Sequence, residues 1–139
     1  MDGRTFVTFA LVAMAVKFVG VISSAYAWHL LLIGQRFGLD PGVMTDVLNA
    51  ATGMNNSTQK KFRQFVLSRK FNAGFTMGLL AKDLSIAMQV GRETGTPAPI
   101  SALVNELIVS AQTAFGPGSD HTEMAKLLER LAGDELKSD

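Results

Sequence analysis

The sequence contains no cysteine. Disulfide frameworks, thiolate metal sites and cysteine nucleophiles are excluded together. Histidine is scarce as well. His29 and His121 stand far apart, without the spacing of metal ligands, so no metal site is expected. There is no G-x-G-x-x-G or Walker loop to cradle a phosphate and no G-x-S-x-G nucleophile turn. Sequence chemistry alone therefore does not support a standalone enzyme. A formal net charge of +1 with no long basic face removes the electrostatic case for nucleic acid. No segment alternates with period two for long enough to argue a strand. What the chain does have is apolar content: 47% of its 139 residues are hydrophobic, enough for one domain with a substantial core.

That content is concentrated in the first third. From Phe6 to Gly34 the only side chains that carry charge near neutrality are Lys17 and His29. Three readings compete. A secretory signal would take Met1–Arg4 as its charged start and Ala25–Ala27 ("AYA") as its cleavage site, but Lys17 interrupts the apolar core and "HLLLIG" follows. A transmembrane helix needs about 20 nearly uninterrupted apolar residues, and a central lysine costs roughly 2.5–3.5 kcal/mol on insertion scales. The third, a long buried helix in a soluble, dimeric, all-helical domain, is the one expected. The sequons at Asn55 and Asn56 ("NNST") are glycan acceptors only under the secreted reading, and otherwise form a loop.

Punctuation divides the rest into helices. Gly38 stops the first, Asp40 caps the second and Pro41 takes its first position, with Val43, Met44, Val47 and Leu48 at helical spacing and Gly53 at the end. A helix from Ser57 or Thr58 carries Phe62, Phe65 and Val66 inward and Lys60, Lys61 and Arg63 outward. "NAG" (Asn72–Gly74) is a turn, and the next helix runs from about Thr76 to Glu93. Gly95 closes it. Another starts near Pro99 or Ile100 with Leu103, Leu107 and Ile108 on one stripe, followed by the loop "GPGSD" (Gly116–Asp120). Asp120 with Glu123 forms a cap-like start to the last helix, which carries Met124, Leu127, Leu128 and Leu131. Residues 134–139 are expected to fray. About six helices in a single domain over residues 1–139 is the architecture expected.

Within the fourth helix, Lys82 and Asp83 sit side by side in a segment that is apolar on nearly every side. A buried charge costs several kcal/mol unless it is paired or used. Met77, Ala81, Leu84 and Met88 share one stripe, whereas Lys82 shares its side with Gly78, Ser85 and Gln89. Such a small and polar strip lets a neighbouring backbone or a ligand approach; the bland alternative is a lysine snorkelling at the domain rim. For the histidines the bland readings are a satisfied core or interface residue at His29 and a surface residue at His121.

The pieces "GLDP…LN…TG", "GF…LLAKDL" and "GPGSDHTE", in this order and spacing, resemble the C-terminal helical domain of the 3-hydroxyisobutyrate dehydrogenase-like (β-hydroxyacid dehydrogenase) family, over roughly residues 13–133. The resemblance implies a fold like the C-terminal domain of 6-phosphogluconate dehydrogenase. It implies hydride transfer between NAD or NADP and a short 2- or 3-hydroxy acid, with a lysine ammonium as proton donor. In that family a Rossmann domain binds the dinucleotide, and the helical domain supplies the catalytic lysine and mediates dimerisation. Lys82 would reach the nicotinamide end of the cofactor, Asp83 would orient it, and Phe75 would line the same cleft. No Rossmann fingerprint lies in the sequence. Aligned without a gap, the family's K-x-x-N-N falls on Ala13 to Lys17, which puts Ala13 at the catalytic lysine and Lys17 at the second asparagine; His29 falls on an acidic position. A four-residue shift puts Lys17 at the lysine position, with Gly20 and Val21 where the asparagines belong. Lys17 is thus the candidate catalytic residue. The expectation is a truncated or split cytoplasmic member, a homodimer through the long first helix, inactive unless a separate Rossmann domain joins it. A non-catalytic oligomerisation or binding module, or a membrane-anchored helical protein, are the alternatives.

Overall fold

A computed structural model describes residues 3–138, apart from a few side chains in the first helix. Met1 and Asp2 of the charged start, and Asp139 of the tail, lie outside the described residues. The first helix, α1, spans Gly3–Arg36. Gly38, at φ +96°, turns the chain in the left-handed region that glycine tolerates, and the Leu39 N–H donates back to the Gly34 carbonyl at 2.9 Å.

α1 is apolar all round, yet it is not buried all round. Val21, Ala25, Trp28 and Leu32 face the core, whereas Val19, Tyr26 and Ile33, on the opposite side, are each about two-thirds exposed. No described side chain before Val21 is buried. Among the described residues, the expectation of a long buried helix therefore holds for one face of the C-terminal half only. By length and composition Ala15–Arg36 could cross a membrane, and 41% of its most apolar window is buried in the domain.

α2 (Pro41–Ala50) begins as expected, with the Val43 N–H donating to the Asp40 carboxylate at 2.7 Å. It buries Pro41, Gly42 and Thr45 rather than Val43 and Val47, which are largely exposed. Arg63, expected on a solvated face, reaches back to α2 and donates to Asp46 and to the Gly42 carbonyl at 2.9 Å. α3 (Asn56–Lys60) starts with a reciprocal cap between Asn55 and Thr58. It continues into a wider π-helical turn, Phe62–Leu67, that buries Phe62 and Val66 and leaves Phe65 half-buried.

The connection to the fourth helix holds two non-glycine residues at positive φ, Arg69 (61°) and Phe71 (46°). Such geometry costs roughly 1–2 kcal/mol per residue. It is held from the outside. Arg69 grips Glu129 through paired hydrogen bonds of 2.5 and 3.0 Å, and the Phe71 ring lies 4.6 Å from the Arg69 guanidinium and 4.3 Å from the Lys126 ammonium.

α4 (Met77–Glu93) is capped by Thr76 and buries Met77, Leu80, Ala81 and Leu84. Its small strip admits a backbone: the Gly78 N–H donates to the Pro117 carbonyl at 2.9 Å, and a Cβ at Gly78 would stand 3.0 Å from that oxygen. α4 packs most extensively on α5 (Pro99–Phe115). There the inward stripe is Val104, Ile108 and Ala111; Leu103, expected on it, is 64% exposed. Asp120 and Glu123 cap a short 3-10 turn (His121–Glu123) that leads into α6 (Met124–Ala132). Leu131 faces solvent. The tail expected to fray is pinned instead: Leu136 is fully buried, its N–H donates to Glu129, and Gln35 holds the backbone of Glu135 and Lys137. Among the described residues the architecture is all-α, with one isolated bridge between Thr76 and Asp120.

Candidate functional site

Where α1 crosses the α3 N-terminus, one stripe of it opens a cavity of about 330 Å³. Lys17, Gly20, Ser24 and Trp28 recur at intervals of three and four residues, so they share a helix face. Facing them are Asn56 and Ser57 from α3, Phe75 before α4, Leu80 and Ile108 from α4 and α5, and His121 from the 3-10 turn. The walls are mainly apolar with a few converging polar groups, the usual make-up of a small-molecule site.

At one edge, Lys17 makes a salt bridge to Asp83, 66 residues away. Lys82 approaches the other carboxylate oxygen at 3.4 Å, so two ammonium groups share one carboxylate. Burial pushes the Asp83 carboxyl up, but the hydrogen bond and charge of Lys17, with Lys82 adding to them, hold it below the usual carboxylate range. The Lys17 ammonium also stands 5.0 Å from the centre of the Phe75 ring. On the same ring, His121 packs edge-on at 5.8 Å, and its Nδ1 lies 3.1 Å from the Phe75 carbonyl. A carbonyl only accepts, so Nδ1 carries the proton and Nε2 the lone pair. Burial dominates in pushing the His121 pKa down, against the opposing pull of Asp120 and the Phe75 carbonyl. The imidazole is neutral at pH 7.

Two further groups complete the wall. The Ser24 and Ser57 hydroxyls are hydrogen-bonded to each other. Trp28 stacks on Phe62 with ring centres 5.7 Å apart, and its indole N–H has no protein partner.

Of the residues expected at a site, the fold unites Lys17, Phe75 and Asp83. Neither Asp83 nor Lys82 lines the cavity: Asp83 reaches its edge through Lys17, and Lys82, with its side chain 60% exposed, flanks Asp83 from outside. Ala13 lies one turn before Lys17, exposed, and places only a methyl group where the alignment expects the lysine. His29 is exposed, its Nδ1 against the Ala25 carbonyl, beside a shallow apolar groove between α1 and α6. His121 was expected at the surface, but only 17% of its side chain is exposed. The small residues Gly20 and Ser24, spaced by one turn beyond Lys17, were the sequence signal that an open stripe begins there. A larger and shallower depression is lined by Arg69, which pairs with Glu129 and Glu135, and by Lys126, which pairs with Glu123. No group of metal-ligating side chains occurs among the described residues.

Residues 11–128 match the model of a family described as NAD-binding of NADP-dependent 3-hydroxyisobutyrate dehydrogenase. The chain is 30% identical over 104 residues to 2-(hydroxymethyl)glutarate dehydrogenase of Eubacterium barkeri, a match covering 74% of this chain and 34% of that protein. It is 28% identical over 117 residues to 3-hydroxyisobutyrate dehydrogenase of Pseudomonas aeruginosa, covering 78% and 39%. Among solved structures, 3-hydroxyisobutyrate dehydrogenase of Mycobacterium tuberculosis superposes with a TM-score of 0.74 at 20% identity, over 84% of this chain and 42% of that one. The chain thus spans about a third of the length of the curated relatives it matches.

Proposed function

The chain belongs to the NADP-dependent 3-hydroxyisobutyrate dehydrogenase family, in the part that the family model describes as NAD-binding, and from that premise we propose that it forms the helical wall of an oxidoreductase site for a short 2- or 3-hydroxy acid. The observation that carries this is the convergence of Lys17, Phe75 and His121, drawn from three separate segments, at one cavity, with Asp83 of a fourth segment paired to Lys17 at its edge.

NAD or NADP is the cofactor the family uses, and the described residues fit part of it. An exposed ammonium at Lys82, an aromatic edge at Phe75 and apolar walls suit a nicotinamide ring. Nothing among the described residues resembles a phosphate-binding loop, so the dinucleotide's phosphates need a Rossmann domain, in the same polypeptide or a separate one. When bound, the cofactor supplies the hydride acceptor or donor. The protein's share is then positioning and proton handling. Lys17, held by Asp83, presents an ammonium whose free N–H groups stabilise an alkoxide or return its proton. Asp83 holds that nitrogen in place through their salt bridge. His121, neutral with Nε2 open, is a second acceptor at the cavity wall. Without the lysine expected at Ala13, Lys17 does this imperfectly, and the helical domain alone is inactive. We take it to work in the cytoplasm as a homodimer joined through α1.

Ala13 also favours a second reading, in which the domain has kept the fold and the oligomerisation face but lost the chemistry. Titrating NADH and NADPH into the purified chain, alone and with a relative's Rossmann domain supplied in trans, separates the two. Binding that is weak alone and tightens at least tenfold with the added domain supports the oxidoreductase. No binding in either setting overturns it.

A further inference from the structure

The cavity lining extends further than a reacting carbon and its oxygens require. Its α1 stripe continues from Lys17 through Gly20 and Ser24 to Trp28, about 16 Å of helix. A Cβ built at Gly20 meets no atom within 4 Å, so packing does not demand the glycine, and its missing side chain is open space. Val21, Leu80 and Ile108, all buried, make the sides apolar.

The two ends differ in charge. No carboxylate lines the cavity, and its two cations, Lys17 and Lys61, stand at the end that Phe75 and His121 mark. Lys17 rests against the Phe75 ring, and Lys61 is near enough to add its charge to the burial that keeps His121 neutral. The other end is uncharged, and its hydrogen bonds are incomplete. A carbonyl only accepts, so the Ser24 hydroxyl donates to the Gly20 carbonyl and the Ser57 hydroxyl donates to Ser24. The Ser57 oxygen, in a residue more than nine-tenths buried, keeps only lone pairs to offer. Trp28 is as deeply buried and is the reverse case. Its N–H is the one buried side-chain donor in the cavity lining without a partner, and an unmet donor costs stability. An uncharged hydroxyl is the single group that accepts from the one and donates to the other. A carboxylate there would face the Ser57 lone pairs away from both cations.

We propose that this end is the specificity pocket of the site: the substrate is a hydroxy acid whose chain passes Gly20 as an apolar tether and ends in a second, non-reacting hydroxyl, held by the Trp28 N–H and the Ser57 oxygen. The inference rests on the oxidoreductase reading above and names the substrate class within it. Trp28 and Ser57 select the tail, while Lys17 serves the reacting end.

Trp28 is the only tryptophan, so its indole N–H gives a single resonance in the spectrum of the full chain. Three matched probes are titrated against that resonance: 6-hydroxyhexanoate, hexanoate and adipate. The hydroxy acid is expected to bind about tenfold tighter than hexanoate and to carry the indole proton downfield, with adipate the weakest. Ser57→Ala should erase that preference and leave hexanoate affinity unchanged, since Asn55 and Thr58 cap α3 without the Ser57 hydroxyl. Gly20→Leu raises helix propensity and fills the passage, and should abolish binding of all three with helical content kept. Equal affinities for 6-hydroxyhexanoate and hexanoate, or a preference for adipate, overturn the proposal. So does a preference that survives Ser57→Ala, or binding that survives Gly20→Leu. An indole proton indifferent to all three overturns it as well, and means that buried water serves the N–H. The probes need no Rossmann domain. Probe binding without NADH binding in the two-domain titration keeps the hydroxyl pocket and removes the oxidoreductase; NADH binding without probe binding does the opposite.

Discussion

Two acid–base pairs, both joining residues distant in sequence, are used in opposite ways. Arg69–Glu129 is closed: both carboxylate oxygens take guanidinium hydrogen bonds, the Leu136 N–H adds a third, and Glu129 is 6% exposed. Lys17–Asp83 is open: two point charges share the carboxylate, the Lys17 side chain is 38% exposed, and a cavity begins at the ammonium. The fork geometry of arginine locks a backbone, whereas the spare N–H groups of a lysine leave something to offer a ligand. The two pairs differ in the number of donors left over.

The largest way to break this contrast is at the closed pair. Glu129→Gln removes the buried counter-charge of the guanidinium, leaving only Glu135 at 3.5 Å, beside two strained residues, and should cost about 3 kcal/mol in urea unfolding. If the loss is under about 1 kcal/mol, the two pairs are energetically alike and the distinction fails.

Asp83→Asn should cost less, about 1 kcal/mol at pH 7, because Lys17 can turn to solvent. The pH dependence carries the same test. Asp83 has a folded pKa held below its ordinary 3.8, so its contribution is present above that value and disappears as pH falls through the lower, folded one. Acid unfolding profiles of the wild type and Asp83→Asn should therefore converge once the pH has fallen below the lowered, folded pKa of Asp83. Profiles that stay parallel to the end of the transition would show that the pair adds no stability.

Lys82→Ala should be the smallest in stability, within about 0.5 kcal/mol of wild type, as befits an exposed side chain. It should nevertheless weaken NADH binding in the two-domain titration several-fold. An unchanged affinity would reduce Lys82 to a rim charge.

Helix existence was legible because it is written in local chemistry. Asp40 before Pro41, Gly38 and Gly95 after their helices, and Asp120 with Glu123 act within a turn or two of where they stand. Helix rotation was not legible. Leu103 and Val104 are equally apolar, as are Val43 and Met44, so only the neighbouring elements decide which of each pair turns inward. The site divides along the same line. Asp83 stood out as a charge beside Lys82 in an apolar helix, Phe75 came from the family resemblance, and Lys17, a lone cation in its helix, became a candidate through the alignment. His121 stayed hidden, since a histidine after an N-cap looks solvated until Phe75, 46 residues earlier, folds against it.

Asp120 gives the cavity a mechanical character. Its carboxylate accepts from the Gly74 N–H at 2.8 Å and from the Thr122 N–H at 3.0 Å, tying the segment that bears Phe75 to the turn that bears His121. One carboxylate thus holds these two walls to each other. The opposing wall is α1, whose described buried side chains begin at Val21 and which runs about 27 Å from Gly20 back to Gly3. Within that stretch Lys17 ties α1 to α4 through Asp83, so the cavity edge is a cross-brace between the two walls.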